Sequence, residues 1–343
     1  MEQLRQYLTA SRLTEILQFH GHLPSGRITT LAITKMEETP PSLLAHLTVT
    51  YTADAPVGLP STFIFKQPKP HKLARGARET RFYAQVAPTM PSVPLVPCYG
   101  TGVVASTEIP YLLLADVSST HETIDRAQLG EQHVQAMVDA LARLHASCWD
   151  RPDLLDIADE QPHERLAADL AGNNERYVEL LAYAGDQLTS AHRQAFERYL
   201  GSAPALLLDR VTHQRHLTLC RPDNHPENFL FPRTGISHVY IIDWHGYQCG
   251  WGASDIAVLS TRWYVYTGQQ NSEQLLRTYY KHLCEYGVGG YSWEACWNDY
   301  ALGVIDYLGM ALRVRQYPAW LARHLPSLMR DFETFGCVKL LAR

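Results

Sequence analysis

The chain has no surplus of positive charge. Its 30 Lys and Arg face 35 Asp and Glu, for a net charge of −5, so it lacks the basic excess that neutralises nucleic-acid phosphates. No apolar run approaches the roughly 20 residues that cross a bilayer. The N-terminal MEQLRQYLTASRL mixes acids, bases and polar residues and has no signal-peptide core. These absences predict a cytoplasmic protein with no nucleic-acid or membrane partner. The seven cysteines are odd in number and include no C-x-x-C pair, which excludes a disulfide framework or a cysteine zinc site. No H-E-x-x-H zinc motif occurs among the 16 histidines, and no G-x-S-x-G elbow supports a Ser-type hydrolase or acyltransferase. Repeats and low-complexity tracts are also absent. What is present is an ordinary globular composition, 46% hydrophobic and 19% charged over 343 residues. That is enough for one large core or two modest ones.

The informative stretch is residues 217–257, LTLCRPDNHPENFLFPRTGISHVYIIDWHGYQCGWGASDIA. An apolar run ends in a loop carrying Asp223 and, five residues on, Asn228. A strand ending near residue 220 delivers Asp223 to a sheet edge, and Pro226 stiffens the loop. Phe229-Leu230-Phe231 and Val239 to Ile242 read as two short strands joined by a PRTGIS turn, and the second ends at Asp243. One carboxylate for a substrate hydroxyl, with an amide oxygen and a second carboxylate for Mg²⁺, is the layout of a phosphoryl-transfer site.

The same segment resembles the catalytic loop of the aminoglycoside phosphotransferase and choline kinase superfamily, whose pattern is H-G-D-x-x-x-x-N followed by a strand ending I-D-[WF]. The resemblance implies Asp223 as catalytic aspartate and Asn228 and Asp243 as metal ligands. GWGASDIA is similar to the family's G-x-x-x-x-D-[LI]-A, with Asp255 in a structural role. Upstream, GLPSTFIFKQP puts Lys66 at the end of an alternating run, and RETRFYAQVAP puts Glu79 on a helix. In kinases such a pair contacts the α- and β-phosphates and fixes the lysine. YLLLADV (111–117) reads as a strand entering a hinge, where backbone around Leu114 to Asp116 meets the adenine edge. The phrases LP-S-x-x-I-F-K, E-x-R-F-Y and VPCYG, with ALARLHASCW as a backing helix, resemble most closely the ecdysteroid-kinase-like branch. The likeness spans roughly residues 25 to 330.

The resemblance therefore implies an α+β, two-lobed protein-kinase-like fold. Residues 1–116 form a small N-lobe of antiparallel sheet plus helix that binds the nucleotide. Residues 117–343 form a larger, mainly helical C-lobe with the catalytic loop, metal site and acceptor-binding helices. The implied activity is ATP- or GTP-dependent, Mg²⁺-assisted phosphate transfer to a hydroxyl of a small molecule. Two departures keep a second reading open, a non-catalytic binding protein of the same fold. Arg221 and Pro222 stand where the family has His and Gly, with Arg221 and His225 as candidate supports for the loop. The turn between strands 26–34 and 43–52 reads KMEETPPS. It lacks the glycine through which backbone amides most easily approach phosphates, and it carries two glutamates.

Residues 1–24 read as amphipathic helices with Leu4, Leu8, Leu13, Ile16 and Leu17 on the apolar stripe. Helices are predicted over 128–147, 161–183, 189–201, 254–266, 271–286 and 293–315, with 205–210 as a helix end or connector. The aromatic-rich C-terminal part, with Asp299 and Asp306 as acids, suits a cage for a cationic acceptor or a more apolar pocket, while most of its Trp and Tyr residues read as core.

Overall fold

The computed structural model describes residues 2–236 and 238–342. Ser237, the last residue of the predicted PRTGIS turn, lies outside them, as do Met1 and Arg343. The chain forms two compact units. The first holds the residues up to Glu122 together with Pro232–Gly235 and Tyr240–Gly246, and the second holds the remainder. The division is not a single cut, because the segment bearing Asp243 packs with the first unit.

In the first unit, helices α1 (Glu2–Tyr7) and α2 (Ala10–Phe19) precede strands β1 (Ile28–Glu38), β2 (Ser42–Tyr51) and β3 (Thr62–Pro68). Helix α3 (Leu73–Arg81) follows, then β4 (Cys98–Val104), β5 (Ile109–Ala115) and the short β6 (His121–Glu122). The first five strands form an antiparallel sheet in the order β1-β2-β3-β5-β4. Leu4, Leu8, Leu13, Ile16 and Leu17 are all buried against it. Period-2 alternation sends Phe63 and Phe65 of β3 into this core, which turns Ile64 and Lys66 to the opposite face.

The first hairpin differs from its predicted form. β1 continues to Glu38, where Glu37 pairs in register with Leu44, and the reversal is confined to residues 39–41. Thr39 closes it by donating its backbone N–H to the Ser42 carbonyl, 2.9 Å away. Pro40 and Pro41 cannot donate to a ladder, so they fall in the turn.

The second unit is mainly helical: α4 (Glu131–Cys148), α5 (Leu154–Ala158), α6 (Pro162–Leu170), α7 (Asn173–Ala184) and α8 (Ser190–Thr212). Then come strands β7 (Thr218–Cys220) and β8 (Phe229–Pro232), with β9 (Tyr240–Ile241) returning to the first unit. β10 (Gln248–Gly250) pairs antiparallel with β7. Helices α9 (Gly252–Thr267), α10 (Ser272–Glu285), α11 (Trp293–Arg313), α12 (Pro318–Thr334) and α13 (Cys337–Leu341) complete it. No helix among the described residues is long and apolar enough to cross a membrane. No disulfide joins the seven cysteines.

Three helix expectations change. The predicted 161–183 helix breaks at Gly172, whose φ of +75° is left-handed backbone that glycine adopts without strain. The separate segments 189–201 and 205–210 are one helix, α8, which runs through Pro204. Tyr199, Ala203, Leu207 and Val211 are all buried along it at a spacing of four, and that burial outweighs the lost proline N–H. Beyond residue 315 the sequence reading assigned no helix, yet α12 begins with proline at its first position and buries Leu321, Leu325, Leu328 and Phe332.

Candidate active site

In the first unit, Lys66 Nζ lies 2.6 and 2.7 Å from the two carboxylate oxygens of Glu79. Glu79 comes from α3 and is buried. Its Oε1 also accepts the backbone N–H of Trp244 at 3.4 Å. Trp244 is fixed in turn: its ring stacks on Phe82 at 4.0 Å and 5°, and Nε1 donates to the Ile241 carbonyl at 3.0 Å. This places Asp243 Oδ1 3.9 Å from Lys66 Nζ and 3.0 Å from His245 Nδ1. Asp243 has φ +65°, a left-handed conformation uncommon outside glycine and a form of backbone strain that gathers at functional sites.

Lys66, Lys72, Arg75, Glu79, Asp243 and His245 border one cavity of this unit. Gly76 borders it too, and a Cβ there would stand 2.2 Å from Pro68 Cγ, so α3 meets the end of β3 only through glycine. The two turn glutamates do not face this cavity unpaired. Glu38 binds Lys69 at 2.7 Å, and Glu37 is ion-paired with Lys35 and lies 3.4 Å from His46.

Leu114 sits in β5, in register with Ile64 on one side and Cys98 on the other. Asp116 lies just past that strand. Its Oδ1 accepts the Ser118 N–H at 3.0 Å and Oδ2 is 3.4 Å from His46 Nδ1. Burial pushes the Asp116 carboxyl up, but these hydrogen bonds outweigh it and leave the group below its ordinary value. Replacing Lys66 with alanine strands the buried Glu79 carboxylate. The unliganded melting temperature is then expected to fall, and stabilisation by nucleotide to disappear, in paired thermal melts.

In the second unit, β7 leads directly into the loop. Arg221 is completely buried. Its guanidinium donates to the Asp223 carbonyl at 2.9 Å, and its backbone N–H donates to Asp255 Oδ2 at 2.6 Å. Asn228 Nδ2 donates to the same Asp223 carbonyl at 2.9 Å and lies 3.0 Å from His225 Nε2. The Asp223 backbone is thus held from two sides, while its carboxylate stays 42% exposed. His225 Nε2 approaches that carboxylate at 3.6 Å and Arg262 of α9 at 3.3 Å. Burial alone would raise the Asp223 carboxyl, but His225, Arg262 and Arg221 outweigh it and hold the group well below the usual carboxylate range. Arg262 was not singled out by the sequence, because nothing in an interior helix position signals a partner 39 residues away.

Behind the loop lies a buried relay. Tyr279 Oη is 2.8 Å from His145 Nδ1, His145 Nε2 is 3.2 Å from Asp255 Oδ2, and Asp255 receives Arg221 N–H. His145, Cys220 and Asp255 are a cluster of metal-type side chains, but it is wholly buried and both imidazole nitrogens of His145 are engaged. Gly252 makes the relay fit, since a Cβ there would stand 2.2 Å from Tyr279 Oη and 2.6 Å from His145 Nδ1. Gly252→Ala is expected to destabilise the protein by about 1–3 kcal/mol, read as a lower midpoint in urea unfolding.

The expected acids for a cationic cage fare differently. Asp299 is consumed by structure: Arg210 binds both its oxygens at 2.6 and 2.8 Å, and Tyr291 Oη donates at 2.9 Å. Burial pushes the Asp306 carboxyl up. Trp244, Trp251 and Trp263 are fully buried core.

The chain matches the model of the phosphotransferase enzyme family over residues 49–294. It belongs to that family and is a small-molecule kinase. No protein of curated function matches it in sequence. Among solved structures, an ethanolamine kinase of Plasmodium vivax aligns with a TM-score of 0.53 at 11% identity, covering 89% of this chain and 81% of that one. A spectinomycin phosphotransferase solved with ADP and spectinomycin aligns at 0.47 and 10% identity, covering 97% and 98%. An aminoglycoside 2'-phosphotransferase in complex with GDP aligns at 0.48 and 13% identity, covering 95% and 98%. The sheet-plus-helix first unit and helical second unit are those of the two-lobed protein-kinase-like fold.

Proposed function

We propose that this kinase transfers the γ-phosphate of ATP or GTP to a hydroxyl of a small molecule, with Asp223 as its catalytic residue. The observation that carries the reading is the Asp223 carboxylate, exposed at its tip while Arg221 and Asn228 grip its backbone. Lys66, oriented by Glu79, takes the α- and β-phosphates, with Lys72 and Arg75 adding positive charge to that cavity. Backbone around Leu114 and Asp116 meets the base. On this reading residues 1–116 serve the nucleotide and 117–343 the acceptor, and the chain falls in the ecdysteroid-kinase-like branch.

The donor set suits Mg²⁺. Asn228 commits its amide nitrogen to Asp223 and His225, which leaves Oδ1 for a hard cation, and Asp243 offers a carboxylate. When bound, the ion offsets negative charge on the phosphate oxygens. Asp223 aligns the acceptor hydroxyl. A bond forms from that oxygen to the γ-phosphorus as the bond to the bridging oxygen breaks, the diphosphate leaves with the electron pair, and the proton passes to Asp223. Because its neighbours depress its basicity, Asp223 acts mainly by orienting the hydroxyl and receives the proton late, in keeping with a loose transition state.

The test is thermal stabilisation by ATP and by GTP, each with and without Mg²⁺. A metal-dependent shift is expected. No shift at millimolar nucleotide would overturn the reading and favour a non-catalytic binding protein.

A further inference from the structure

The second unit contains a cavity of about 520 Å³ beside Asp223. Arg262 connects the two, because it lines the cavity and also reaches the Asp223 carboxylate at 3.3 Å. The other wall is α12, the helix absent from the sequence reading. From the cavity's lining, three guanidinium groups, of Arg126, Arg262 and Arg323, face one carboxylate, that of Glu227. Among the described residues no carboxylate pairs with Arg126 or Arg323. Even with Asp223 counted, positive charge is in excess.

These cations are placed with different degrees of fixation. Arg126 Nε donates to the Tyr266 carbonyl at 3.0 Å, and its guanidinium lies 4.9 Å over the Tyr266 ring. Arg323 is exposed on α12. Trp320 also lines the cavity. Trp320 stacks on His324 at 4.0 Å and 9°.

His324 belongs to the cavity wall. It is 5% exposed, and among the described residues its Nε2 has no hydrogen-bond partner. Its Nδ1 lies 2.8 Å from the Trp320 carbonyl, which only accepts, so Nδ1 carries the proton. Burial lowers the imidazole pKa to about 4 and keeps the ring neutral. Nε2 is therefore a buried acceptor, and the ring adds no positive charge to the wall.

We propose that the acceptor is anionic: a hydroxylated carboxylate with a planar or aromatic body, its acid group held by Arg323 and Arg126 and its ring on Trp320, which leaves the hydroxyl for Asp223. This rests on the phosphotransferase reading for the site's purpose, but its charge preference stands on the cavity alone. The chemistry is opposite to that of an ammonium cage, because Asp299 is locked into Arg210 and the one carboxylate in the cavity lining is Glu227.

The test uses three matched alcohols on the full chain: mandelate, the neutral 1-phenyl-1,2-ethanediol and the cationic 2-amino-1-phenylethanol. Binding is measured by calorimetry without nucleotide, and phosphate transfer by product detection with ATP and Mg²⁺. Mandelate is expected to bind at least about tenfold more tightly than the amino alcohol, which corresponds to about 1.4 kcal/mol. Arg323→Glu is expected to abolish or invert that preference. Equal or tighter binding of the amino alcohol, or no saturable mandelate binding, overturns the proposal. Anion-selective binding without phosphate transfer to any of the three would instead leave the charge preference standing and count against the phosphotransfer reading. Transfer favouring the amino alcohol would do the reverse.

Discussion

Replacing Asp223 with alanine is expected to lower phosphate transfer by about 10²–10⁴-fold, the range for a positioned acid–base group, without weakening nucleotide binding. The Asp223 contacts that hold the loop run through its backbone carbonyl, to Arg221 and Asn228. A side-chain truncation leaves both intact. On the proposed reading the loss therefore falls on the carboxylate. The same change frees Arg262 from its 3.3 Å partner and adds net positive charge to the neighbouring cavity. Affinity for an anionic acceptor is then expected to hold or rise while kcat collapses. Unchanged kcat in a steady-state assay would remove Asp223 from the reaction.

Replacing Asp255 with alanine is expected to cost about 1–3 kcal/mol of stability for each buried group left without its partner. Asp255 Oδ2 receives Arg221 N–H at 2.6 Å and faces His145 Nε2 at 3.2 Å, and all three residues are completely buried. The damage also reaches the chemistry. Arg221 carries the Asp223 carbonyl, so a loosened Arg221 lets the carboxylate drift, and misplacement of about 1 Å can cost 10²-fold in rate. Asp255→Asn keeps one acceptor oxygen and is expected to lie between wild type and alanine. Guanidinium unfolding followed by tryptophan fluorescence gives the stability, and the transfer assay on the folded fraction gives the rate. Wild-type values for both would show that the relay does not support the loop. The relay also explains how Arg221 and Pro222 can stand where the family has His and Gly: the loop is fastened by a guanidinium and by the Asp255 carboxylate.

By itself the sequence determined what short-range pattern can carry. Alternation put Lys66 at the end of a strand on the face opposite Phe63 and Phe65. The spacing of Asp223, Asn228 and Asp243 around two short apolar runs set a loop and its strands in order along the chain, and the apolar stripe of residues 4–17 marked the helices over the first sheet. Such features depend on neighbours two to five positions away. Where burial competes with a local signal, the sequence misled. One helix was expected to stop at residue 201, with 205–210 as a helix end or connector, yet α8 continues because Tyr199, Ala203, Leu207 and Val211 gain more from packing than one missing N–H costs.

Only the tertiary structure decided which side chains share a site across long separations. It joined Lys66 to Glu79 and Asp243, and Arg221 to Asp255, His145 and Tyr279. It locked Asp299 to Arg210, and it brought Arg262 to Asp223 and α12 to the cavity beside it. The physical reason is that a charge acquires its meaning from what lies within a few ångströms. Arginine at 126, 262 or 323 reads as a solvated cation until folding sets all three around one cavity.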